Sequence, residues 1–408
     1  MYKRGNIALT NEAKQLTFRQ VISFGLLACL LYGMTGGLRA DIGILLQPLA
    51  VHTGLSYKDV SLCIAVMQLA FGCTQPFFGL LAARTSNRLV LLLGVLLMAG
   101  SLLGMTFAHS FAGLFLSLGI GFGIGAGALA FGLILTSAIY FAGRKNAMML
   151  AGMLNASAGL CGFFLSPLLQ QLLAWKGVAG TLESLLLPFA LLLPIALFIT
   201  SRDSQKRGQA SLLQENKSWK DVFRNRTFRL LLAGFSTCGF HMVIIESHLF
   251  SQFISYGIPA QAASWVFSVY GLATILGALL SGYLSSRMAK GKLLGFYYGF
   301  RAMWVGFYLF LLPKTFWTGV LFAIGLGFTG DATVSPTSGL VHEHFFITQA
   351  ATLMGVLFLG HQMGAFASAW LGGILVQQTG SYVALWTLDM ALCLFASIMS
   401  GKIKGDAA

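Results

Sequence analysis

Polar residues in this chain of 408 residues are bunched, and the stretches between the bunches are apolar and long. A helix crosses the hydrocarbon core of a bilayer with about 20 residues at a rise of about 1.5 Å each. Twelve such stretches can be placed, near 18–49, 58–83, 89–107, 110–141, 146–174, 184–200, 230–256, 261–285, 293–312, 316–340, 351–376 and 382–400. Residues 1–17 form a polar tail, and 401–408 a second one. The first apolar run is longer than a secretion-signal core and lacks a small-residue cleavage site after it, so it is expected to stay as a helix. The one long hydrophilic stretch, 201–229, falls between the sixth and seventh spans and divides the chain into six-span halves, 18–200 and 230–400.

Composition agrees with this pattern: 57% of residues are hydrophobic and 9% charged, whereas a soluble domain carries about a quarter charged. The net charge of +14 would suggest nucleic acid or an anionic surface if the basic residues were scattered. They are not. With the amino terminus inside, 21 of the 26 Lys and Arg fall in cytoplasmic segments, Lys58, Lys176 and Lys314 fall outside, and Arg39 and Arg301 lie within spans. That asymmetry follows the positive-inside rule. It predicts a multi-pass protein of the cell inner membrane with both termini cytoplasmic, whose surroundings are lipid and which binds no nucleic acid. All six cysteines lie in spans without paired or metal-ligand spacing and read as reduced packing residues. "HEH" at 342–344 likewise lacks the spacing of a metal site. No metal and no cofactor is expected. No phosphate-binding loop occurs, and the outer loops are too short for a catalytic domain, so the chain is expected not to be an enzyme and any transport must draw on a gradient.

The halves repeat. Sliding the second back by 203 positions sets Gly54 on Gly257, Gly79 on Gly282 and Arg84 on Arg287, while "GIGFGIG" at 119–125 meets "GLGFTGD" at 325–331. Related six-span halves joined by a polar linker are the pattern of a two-bundle secondary transporter with its substrate held between them. In span four, Gly119, Gly123 and Gly127 form one small-residue row and Gly121 and Gly125 another, which lets neighbouring helices approach closely.

Here the chain resembles the major facilitator superfamily over its whole length. The loop after span two, "GLLAARTSNR", keeps Gly79, Leu81, Arg84 and Arg88 of that family's gating loop, with Ala83 in place of its aspartate and Ser86 in place of its second glycine. "GLRADIG" in span one, "CGFHMVIIESHL" in span seven, and "HQMGA" and "GSYVALW" in and after span eleven are similar to bacterial relatives of the monocarboxylate and oxalate:formate carriers. Those carriers place an arginine in span eight, where this chain has no ionisable residue. The resemblance implies an all-α integral membrane fold of twelve helices in two pseudo-symmetric bundles, a monomer, and alternating access to a small-molecule substrate. It also implies that spans one, two, four, five, seven, eight, ten and eleven face the central cavity.

Charges within spans need partners or a wet cavity. Arg39 and Asp41 are two residues apart and point in different directions on a helix. Arg39 suits a substrate carboxylate, or it snorkels outward or pairs with Glu246; Asp41 could carry a proton. His361 lies about ten residues into span eleven, near mid-bilayer, with Gln362 beside it, and both are candidate substrate contacts. His241, also near mid-depth, is a further substrate candidate or a packing residue. Glu246 and His248 lie further out, and Glu246 is a candidate for proton coupling. Arg301 and Asp331 share a depth, which predicts a structural ion pair, with proton relay as a second role for Asp331. Asp389 has no evident partner in the sequence. The expectation is a secondary transporter of a small organic anion, monocarboxylate-like, by proton symport or anion exchange. Alternatives are export of an amphipathic drug or siderophore, and a membrane sensor.

Overall fold

The computed structural model describes residues 17–201, 219–345 and 347–403. Residues 1–16 of the amino-terminal tail, 202–218 of the linker and 404–408 of the carboxyl-terminal tail lie outside the described residues.

The fold is all-helical, twelve spans in two six-helix bundles. Span one is Phe18–Ala40 continued by Ile42–Thr53; span two is Tyr57–Arg84; span three, Asn87–Thr106; span four, Phe111–Ala142. Spans five and six share the run Ala147–Ile199, broken at Gly177. The second half repeats this with Arg226–Ser255, Ala260–Ser285, Lys290–Leu311, Phe316–His344, Ile347–Thr379 and Val383–Gly401 as spans seven to twelve. Span nine carries Arg301 in its middle, with Tyr297, Tyr298, Trp304 and Tyr308 along the same helix. Span six begins earlier than its expected start near 184, since the turn that separates it from span five needs a single glycine, Gly177 at φ 67°.

Local chemistry sets the ends. Ser56 opens span two with a capping box to Asp59, and Asn225 caps span seven through the Phe228 amide. At the end of span nine, the Lys314 ammonium donates to the carbonyls of Tyr308, Leu309 and Leu312, three of the acceptors a helix terminus leaves over. The two halves turn with glycine at equivalent places. Gly54 and Gly257 both have positive φ after spans one and seven, and so do Gly177 and Gly380, likewise 203 residues apart, after spans five and eleven. Spans four and ten are both interrupted about midway, at Leu129–Ala130 and at Gly330–Thr333.

Close helix contact accounts for most of the mid-span glycines. One row of span four, Gly119, Gly123 and Gly127, rests on Cys63, Met67 and Phe71 of span two; the other, Gly121 and Gly125, rests on Ser101 and Met98 of span three. Between the halves, span two packs along span eleven and span five along span eight, with the backbones of Gly159 and Gly271 meeting directly.

Candidate functional site

The site begins with "GLRADIG". Span one bends at Asp41 (φ −89°, ψ 8°), and the alternate residues around the bend each meet a different neighbour. Gly37 lies against Cys161 and Gly162 of span five, where only a small residue fits. The Asp41 carboxylate accepts from Ser166 Oγ of span five at 2.8 Å and is buried. A Cβ on Gly43 would run into the carbonyls of Glu246 and Ser247, so spans one and seven cross there backbone to backbone.

At that crossing the Arg39 guanidinium holds Glu246 with both prongs, Nη1 to Oε2 at 2.8 Å and Nη2 to Oε1 at 3.2 Å. Gln68 of span two completes a triangle: its Oε1 accepts from Arg39 Nη1 at 2.8 Å and its Nε2 donates to Glu246 Oε2 at 2.9 Å. The Phe71 ring lies 5.0 Å from the guanidinium carbon. Arg39 thus takes the Glu246 partner that was one of its expected alternatives. The pair joins the two halves, with 19% of the arginine side chain exposed and 7% of the glutamate. Glu246 sits in a wide helical turn, Ile245–Leu249, where one extra residue alters the direction of successive side chains. Gln68 was missed from sequence because an uncharged amide in "AVMQLAFG" carries no signal except its polarity.

Three further groups gather near this pair. Asp331 heads the short turn that follows the break in span ten and is half-buried, and its carboxylate has no hydrogen-bond or ion-pair partner among the described residues. Its charge lies within interaction range of Glu246, His361 and Arg39. The His361 ring packs on Phe235 and Phe358, and its Nδ1 is buried without a partner among the described residues. Gln362 lays its stem against Gly72 of span two and leaves its Oε1 unpartnered, so it faces the seam between the halves.

Two expectations need correction. Arg301 does not pair with Asp331: its guanidinium donates to the carbonyl oxygens of Thr329 and, at 2.7 Å, Gly330, and to Cys238 Sγ at 3.3 Å. The break in span ten takes those carbonyls out of α-helical bonding, and they lie closer to the guanidinium than the carboxylate does. His241 does not join the site either. Its Nδ1 meets Asp389 Oδ2 at 2.7 Å with both side chains fully buried, beside Trp386 of span twelve. That contact supplies Asp389 with the partner the sequence did not reveal. Cys393 Sγ lies 3.7 Å from Asp389 Oδ1, and the three side chains could together face a metal ion, but the shortest contact among them is already spent on the His–Asp hydrogen bond.

The remaining links between the halves lie to one side. Tyr57 Oη bonds His248 Nδ1 at 2.8 Å and Tyr382 Oη at 3.4 Å; the Lys58 amide donates to Gln377; Ser268 Oγ donates to the Phe163 carbonyl. The His248 Nε2 in turn meets the Ala369 carbonyl at 3.1 Å, so the imidazole donates there and accepts from Tyr57. By residue count along each span, all these links, the Arg39 triangle included, fall in the half of the membrane away from the termini. Among the described residues, no hydrogen bond or ion pair joins the bundles in the other half. On that other face, Arg84 and Arg88 of the gating loop are exposed and unpaired among the described residues, and Gly79 has open space where a side chain would be.

Comparison with known proteins agrees with this architecture. The family model described as the Major Facilitator Superfamily matches residues 25–255 and 249–403. An uncharacterized MFS-type transporter of Bacillus subtilis, YcxA, is 25% identical over 374 residues, covering 87% of this chain and 86% of that protein. Monocarboxylate transporter 12 of Mus musculus is 25% identical over 374 residues, covering 81% and 75% respectively. Among solved structures, a variant of the nucleoside transporter NupG matches with a TM-score of 0.75 at 14% identity, over 93% of this chain and 98% of that one.

Proposed function

The chain belongs to the major facilitator superfamily and is a multi-pass membrane transporter; from that premise we propose that it moves a small organic anion, monocarboxylate-like, by alternating access with proton symport or anion exchange. The observation that carries this reading is the Arg39–Glu246 pair between the halves. A guanidinium is always charged and matches a carboxylate prong for prong. In the sealed conformation that partner is Glu246. A substrate carboxylate can replace it at the same two donors, and a proton on the released Glu246 would keep the charge balanced. His361 and Gln362, each with an unpartnered polar atom near the seam, add contacts to the anion. Asp331 and Asp41 are further proton carriers in this reading, Asp41 through its bond to Ser166 at the bend. The relatives named monocarboxylate transporters support the substrate class. The side remote from the termini is read as extracellular and the protein as an inner-membrane monomer.

A second reading, export of an amphipathic or cationic compound, is favoured by one feature. Asp331 lacks a counter-charge of its own at a junction that also holds Phe71, Tyr32 and Tyr270. Uptake of labelled short carboxylates into proteoliposomes under an imposed pH gradient separates the two. Uptake that is lost in both Arg39→Ala and His361→Ala supports the anion carrier. If the wild type moves no carboxylate, that reading fails and cationic and amphipathic panels follow.

A further inference from the structure

The break in span ten is held from outside the helix. After Thr329 the chain leaves α geometry, Gly330 adopts φ −51° and ψ −77°, and Asp331–Thr333 form a tight turn before the helix resumes at Val334. The tight turn sends the Val334 amide back to Asp331, so the carbonyls of Thr329 and Gly330 do not receive the amides four residues on that an α-helix would give them. A buried carbonyl left short of donors is costly. Arg301, fully buried on span nine, donates one amino group to both. Its other amino group reaches Cys238 of span seven, which also contacts Thr333 Oγ1 at 3.1 Å, and Ser281 of span eight donates to the Ala332 carbonyl. Three spans therefore grip the break, and the only full charge in that grip is Arg301. In transporters with unwound helices, freed carbonyls commonly coordinate a bound cation. Here a side chain of the protein stands at that place.

We propose that Arg301 is a positioning residue of the transport site, a resident cation that keeps span ten unwound at Thr329–Thr333 and so holds the Asp331 carboxylate towards Arg39, Glu246 and His361. The geometry gives the reason. Three residues of tight turn advance by about 120° each and three of α-helix by about 100°, so winding the break back into a regular helix turns Asp331 by roughly 60° relative to the helix that resumes at Val334. The freed carbonyls would then bond forward along the helix and need no guanidinium. This inference rests on reading Asp331 as part of the transport site.

The test labels carboxyl groups of the purified full chain with dicyclohexylcarbodiimide, an apolar reagent that reaches carboxyls inside membranes, and reads each position by peptide mass spectrometry. Asp41, held by Ser166 in the other half, is the internal reference. Arg301→Leu should lower labelling at Asp331 at least fivefold relative to Asp41, and Arg301→Lys, which keeps a cation there, should stay within about threefold of wild type. If Arg301→Leu does not fold, Arg301→Gln replaces it, since an amide still satisfies one carbonyl, and a drop of threefold or more is then expected. Labelling at Asp331 in the neutral variant that equals or exceeds the wild type, or an equal change at Asp41, overturns the proposal. No substrate is used, so a wild type that moves no carboxylate yet shows this dependence sinks only the anion reading.

Discussion

Arg39 and Glu246 meet prong to prong although they belong to different halves of the molecule, and their contact lies where the backbones of spans one and seven cross at Gly43. Such a pair locks the halves together, and under the proposed function it is also a binding site held closed by its own occupant. Removing one partner of a buried pair leaves the other charge uncompensated, which costs about 3–5 kcal/mol when burial is complete and less where, as at Arg39, part of the side chain is exposed.

Glu246→Gln and Arg39→Gln should each lower uptake at least tenfold, and the double variant should be no worse than either single one. A double-mutant cycle on thermal stability in detergent should give a coupling of about 1–3 kcal/mol. Strict additivity would show that the two groups act separately, and with it the replacement of Glu246 by substrate would lose its basis.

The His241–Asp389 pair should behave in the opposite way. His241 of span seven and Asp389 of span twelve are both fully buried, so the pair is expected to bear on stability and not on recognition. Asp389→Asn or His241→Ala should destabilise the protein by about 3–5 kcal/mol, while the paired replacement His241→Leu with Asp389→Leu recovers most of that. The KM for transport should stay within twofold in whatever protein folds. A KM that rises tenfold in the doubly apolar variant would return His241 to the substrate path.

Tyr57 ties span two to His248 and Tyr382 at the face remote from the termini. Tyr57→Phe removes only the hydroxyl, and one hydrogen bond contributes about 1 kcal/mol net. The ratio of sealed to unsealed protein should therefore fall about fivefold. Spin labels on Val51→Cys and Val383→Cys, exposed positions near that face, would report it by double electron–electron resonance as a longer second distance gaining population. An unchanged distance distribution would mean that the Arg39 triangle holds that face closed without Tyr57.

The spans and the repeat were legible in the sequence because hydrophobic length and glycine turns are local properties. Gly54 and Gly257 were aligned from sequence alone and share their positive φ in the fold. Depth along a helix was legible too, since Arg301 bonds the carbonyl of Gly330, the residue before Asp331. Azimuth was not. His241 sits at the depth expected of a cavity residue but points at Asp389, and nothing in either segment discloses the partner. The separate directions of Arg39 and Asp41 followed from helix geometry, whereas the bend at Asp41 and the break after Thr329 depend on what other spans offer the freed backbone groups.

Under the proposed alternating access, two glycine substitutions separate the sealed conformation from the one it exchanges with. At Gly43 a methyl group would collide with the carbonyls of Glu246 and Ser247, backbone atoms that move only if spans one and seven part. Overpacking of that kind costs about 1–3 kcal/mol. It acts only where the spans touch, so Gly43→Ala should populate the unsealed state by about fivefold or more and lengthen the Val51–Val383 distance. At Gly79 a methyl group meets nothing, in mid-helix where alanine is favoured over glycine by about 1 kcal/mol. Gly79→Ala should therefore leave the sealed state intact or firmer. If the gating loop matters as the family resemblance implies, its role belongs to the other conformation, in which the faces near the termini come together. Gly79→Ala that keeps full stability and the sealed distance but loses uptake would place the glycine in that second closure; full uptake in Gly79→Ala would show that the position needs no glycine in either state.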